Sequence, residues 1–88
     1  MEKSDLINLI EYTLDSKIHE NDMILKYSFY ELRVKYNLSE TETDKFLELL
    51  TNKLSYMGYK VYYTGQSFEV NGVTTKVTNN ELLIAIKQ

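Results

Sequence analysis

The apolar residues of this chain change period at Gly58, and that change limits its possible folds more than any other feature. Before Gly58 they recur every three or four residues, the spacing that buries one face of a helix. After it they alternate, the spacing that buries one face of a strand. The expected class is therefore α+β, with three N-terminal helices followed by a small antiparallel β-meander or wing. A length of 88 residues suffices for one core and not for two, so residues 1–88 are expected to form a single domain.

Leu6, Ile10, Leu14 and Ile18, widened by Ile7, mark the buried stripe of a first helix capped by Ser4 or Asp5. Its periodicity fades from Lys17 to Asp22, and Met23, Ile24 and Leu25 suit a brief strand. Ser28 with Glu31 is a capping box that opens a second helix, with Phe29, Leu32 and Tyr36 turned inward. Asn37 tolerates the left-handed backbone of a helix end, and Leu38 is an apolar plug. Ser39 with Glu42 is a second capping box. Phe46, Leu47, Leu50, Leu54 and Met57 then stripe a third helix, expected to be the longest, which Gly58 ends.

In the alternating part, Tyr59, Val61 and Tyr63 share one face of a strand, and Lys60, Tyr62 and Thr64 the other. Gly65-Gln66, Asn71-Gly72 and Asn79-Asn80 are candidate two-residue turns, Asn-Gly being the strongest because both of its residues accept positive φ. Leu82 to Ile86 form an unbroken apolar run. A strand covered on both faces is the favoured reading; a short helix capped by Thr78 and Glu81 is the alternative.

Composition removes whole classes of function. Without cysteine there are no disulfides, thiolate metal sites or cysteine nucleophiles. No apolar run has the length of a signal or spanning helix, so no membrane is expected and the location is expected to be cytoplasmic. Ten basic residues against 13 acidic ones leave a net charge of -3, opposite in sign to the usual nucleic-acid footprint. Nine of the ten are lysine, alanine occurs once, and Asn, Ile and Tyr are abundant, as in proteins of AT-rich genomes such as low-GC bacteria and their phages.

His19 is the only histidine and belongs to no catalytic pattern; a solvated side chain near a helix carboxyl end explains it. The three glycines are spaced as turn residues and form no phosphate loop. Glu40, Glu42 and Asp44 alternate along a helix, pointing about 200° apart at each step, and cannot converge on one ion. No enzyme activity, cofactor or metal is expected.

Helix, short strand, helix, tight turn, helix and hairpin is an order of elements that resembles the winged helix-turn-helix superfamily over most of the chain. The stretch Ser28 to Ser39 carries the likeness, through its two cap residues, Leu32, Tyr36, Asn37 and Leu38, and Met57-Gly58-Tyr59 looks like the junction into a wing. Arg33 and Thr43 depart from the pattern, standing where a small and a branched apolar residue are usual, and the third helix is about one turn longer.

The resemblance implies that the third helix enters a DNA groove with Glu40, Thr41, Asp44, Lys45 and Glu48. Three of those five are carboxylates, which phosphates repel. A non-catalytic protein-binding module, a small acidic inhibitor or adaptor of phage or mobile-element type, is therefore the first expectation. Its contact residues would be those five and Tyr62, and its partner a protein with a basic, nucleic-acid-binding surface. Tyr56, Tyr59, Tyr62 and Tyr63 crowd the junction of helix and wing, and only Tyr62 and one neighbour are expected to be exposed. The alternative is a DNA-binding regulator, dimeric through helix one, using Arg33, Lys35, Lys45, Lys53, Lys60 and Lys76. Leu83 and Ala85 exposed at a sheet edge would instead favour a subunit of a larger assembly.

Overall fold

The computed structural model describes residues 2–88 and places two long helices against a sheet that draws strands from both halves of the sequence. Helix α1 spans Lys3–Glu20, strand β1 Ile24–Ser28 and helix α2 Glu40–Tyr56, with a six-residue π-helical segment, Tyr30–Lys35, between β1 and α2. Strands β2 (Tyr59–Tyr63), β3 (Ser67–Val70), β4 (Val73–Lys76) and β5 (Glu81–Lys87) follow. The class is α+β as expected, with two corrections: the second of the three helices is a short, wide turn, and there are five strands in two sheets.

The first sheet runs β1-β5-β2, antiparallel throughout, and β3-β4 is a separate hairpin. Leu25 and Val61 both oppose Ala85, and Tyr27 and Tyr63 both oppose Leu83, so alternate residues of three strands form one inner face. On it rest Leu6, Ile10 and Leu14 of α1, Leu32 and Leu38, and Phe46, Leu50 and Leu54 of α2. Each such side chain contributes roughly 1.5 to 3 kcal/mol when fully buried.

Ile84, on the opposite face of β5, is buried too, as is Val77 beside the hairpin. Tyr62, which pairs with Ile84, packs its ring on Phe68 at 5.2 Å. The apolar run 82–86 is thus a central strand covered on both faces, as favoured from the sequence. The Thr78 and Glu81 pair serves a turn: the Thr78 amide and hydroxyl both donate to the Glu81 carboxylate. Leu83 and Ala85 are wholly buried, so they form no exposed sheet edge.

Local signals fared according to how local they were. Ser39 and Glu42 form the full capping box. Asn37, Asn71, Gly58 and Gly72 all have positive φ. The first turn of the wing falls at Thr64-Gly65, one residue earlier than expected, closed by the Gln66 amide on the Tyr63 carbonyl. Helix α1 starts earlier as well, at Lys3, and Asp5 reaches back to the Glu2 amide. At 18 residues α1 exceeds the 17 of α2, which was expected to be the longest.

The largest local departure is at Ser28. It ends β1 at a bulge, and the Phe29 amide is already bonded to the carbonyl of Asn80, the turn residue before β5. The segment then winds wide, with Tyr36 N–H reaching Glu31 O and Leu38 N–H reaching Leu32 O. Ser28 Oγ still accepts from the Glu31 amide at 3.0 Å, but the Glu31 carboxylate pairs with Lys17 at 2.9 Å. The wider winding leaves Leu32 buried and turns Phe29 outward.

Candidate interaction surface

Helix α2 is held by the sides that bury Thr43, Phe46, Leu50 and Leu54, which leaves Glu40, Thr41, Asp44, Lys45 and Glu48 exposed together. Their spacing at i, i+1, i+4, i+5 and i+8 makes one continuous face. Lys45 is its one cation and is bound to Glu48 at 3.3 Å, so the face remains acidic. Glu42 turns away into the cap, where the Ser39 amide foremost holds its carboxyl at about 2.

Three large exposed side chains lie on the stretch between β1 and α2. Phe29, Tyr30 and Val34 are all exposed. The Arg33 guanidinium lies 5.3 Å from the Phe29 ring centroid, and its Nε donates at 3.0 Å to the carbonyl of Leu38, the residue before the Ser39 cap. Arg33 therefore ties the aromatic group to the start of the acidic row. An aromatic doublet following a strand was the available sequence signal, but an α-helical winding would have turned Phe29 inward.

Tyr62 stands apart from this surface. It is half-buried against Phe68, with the Lys60 ammonium 5.7 Å from its ring centroid. Tyr63 reaches α2 instead, its hydroxyl 2.6 Å from Thr51 Oγ1. Of the four clustered tyrosines, Tyr56 and Tyr63 are the exposed ones, whereas Tyr59 is buried and donates to the Asp22 carbonyl at 2.6 Å.

The basic residues considered for DNA are dispersed. Arg33 and Lys35 lie on the π-helical segment, Lys45 and Lys53 on α2 eight residues apart, Lys60 on β2 and Lys76 on β4. Arg33 is committed to Leu38, Lys45 to Glu48, and the Lys35 ammonium sits 5.4 Å from the Tyr36 ring centroid. His19 is exposed in the last turn of α1. Among the described residues, no group of three or more His, Asp or Glu side chains could hold a metal ion, and no helix is long and apolar enough to cross a membrane.

No family model, curated protein or solved structure matches this chain.

Proposed function

We propose that this chain is a winged-helix-like, non-catalytic module that binds a protein, acting as a small acidic inhibitor or adaptor of the kind phages and mobile elements encode. The observation that carries the reading is the exposed row Glu40, Thr41, Asp44 and Glu48, in which Lys45 alone opposes the carboxylates. Such a row repels phosphate and attracts a basic protein surface, including one that itself binds nucleic acid. Phe29, tied to the start of α2 through Arg33, and the exposed Tyr30 and Val34 of the same stretch add aromatic and apolar contact area of the kind in which binding hot spots occur. The order of elements supports the winged-helix likeness, and the AT-rich composition supports the phage-type origin.

The test pairs wild-type protein with a Glu40→Lys, Asp44→Lys, Glu48→Lys variant. The wild type should capture a basic protein from host lysate and the variant should lose it. The wild type should also ignore random duplex DNA at about 50 mM salt, where phosphate contacts are strong. Tight DNA binding that weakens steeply with salt, with no effect of the reversal on any protein partner, would replace this reading with that of a DNA-binding regulator. That alternative draws on the element order and would use Arg33, Lys35, Lys45, Lys53, Lys60 and Lys76, of which Lys53, Lys60 and Lys76 form no ion pair among the described residues.

A further inference from the structure

A second surface lies on a different side of α2 from the acidic row. Between α1 and α2 runs a groove lined by Ile7, Ile10, Leu49 and Tyr56, and it continues past Leu14, Ile18 and Met57. Tyr56 is 93% exposed and Ile7 38%, both on the walls of this groove. On α1 the lining spans Ile7 to Ile18, about 17 Å or three turns.

The rim carries both signs of charge. Glu11 and Asp15 come from α1 and Lys53 from α2. None of the three forms an ion pair in its own chain among the described residues. A two-fold axis across the groove turns this into a matched set, because an isologous interface brings each patch against its own copy. The acids of one α1 then meet Lys53 of the other copy, twice over, while Ile7 and Tyr56 leave water.

We infer that the α1/α2 groove is a homodimer interface, formed by a second copy of this chain and oriented by reciprocal pairing of Glu11 and Asp15 with Lys53. The contact is about three helical turns long on α1, and weak, concentration-dependent association is the behaviour expected of it. It leaves the acidic row of α2 free, and its failure would not touch the proposed partner face.

The test uses two variants, the double Glu11→Lys, Asp15→Lys and the single Lys53→Glu, all at exposed positions that spare the core. Sedimentation equilibrium of the wild type between about 1 and 300 μM should show a reversible dimer, a window that brackets micromolar affinity. Each variant alone puts like charges across the axis and should dimerise at least tenfold more weakly. Mixed together they should form a heterodimer as strong as the wild-type dimer, because every cross-axis pair is again opposite in sign. A Tyr56→Asp variant should be monomeric with an unchanged circular dichroism spectrum. A wild type that stays monomeric at about 300 μM, or a mixture of variants with no gain over either alone, would overturn the inference.

Discussion

At the scale of single residues, the most consequential contact is buried between α1 and β1. Thr13 Oγ1 donates to the Ile10 carbonyl at 3.0 Å, so the Tyr27 hydroxyl, 2.7 Å away, must be the donor to Thr13. The two substitutions that break this bond are therefore unequal. Tyr27→Phe removes a donor and leaves Thr13 satisfied, at a cost of about 1 kcal/mol, whereas Thr13→Val strands a buried hydroxyl at about 1 to 3 kcal/mol. Urea unfolding of both variants checks the order, and the reverse order would mean the donor is misassigned. Burial also raises the Tyr27 pKa. The native state then keeps its proton more firmly than the unfolded chain, a stabilisation complete below pH about 10 and lost as pH rises beyond it. Wild-type stability should therefore fall more steeply above that pH than that of Tyr27→Phe. None of this was legible in the sequence, where Thr13 looks like a polar interruption of an apolar stripe and Tyr27 lies beyond the expected strand. The bond joins residues 14 apart and exists only once β1 has docked.

At the scale of elements, what the sequence revealed depended on how far each signal reached. Ser39 and Glu42 cap α2 using groups three residues apart. Ser39→Ala should cost about 1 kcal/mol in thermal or chemical unfolding. The lowered Glu42 pKa adds a pH signature: its stabilisation is whole above the unfolded value near about 4.3 and disappears as pH falls toward about 2. Melting temperatures of Glu42→Gln should accordingly vary less between those pH values than those of the wild type. Ser28 and Glu31 have the same spacing, yet there tertiary partners compete, the Asn80 carbonyl before β5 for the Phe29 amide and Lys17 of α1 for the Glu31 carboxylate. A local rule read the first site correctly and misread the second because only the second lies beside a strand 50 residues away. The exposed acids of α2 follow from helical spacing alone; the Phe29 group and the Ile7 to Tyr56 groove follow from how elements pack, which spacing does not state.

At the scale of the whole molecule, the core depends on a strand that comes late. That residues 82–86 are covered on both faces was legible from their unbroken apolar run, but their place at the centre of the sheet was not, because strand order is a property of distant pairings. Strands β1 and β2 bond to β5 and not to each other, and the backbone ties Lys87 to Met23 and Gln88 to Gly58 close the same assembly. The Lys87 ammonium also donates to the Met57 carbonyl at the carboxyl end of α2, where a positive charge is favoured. A chain cut after Asn80 should lose cooperative unfolding altogether, measured by circular dichroism on heating; a sharp transition in that fragment would show that the helices and β1 hold a core without β5. Translation makes the same cut for a moment in every copy. Until residues 81–87 clear the ribosome, the segments that become β1 and β2 lack the one strand with which both pair, and any extended segment nearby could take its place.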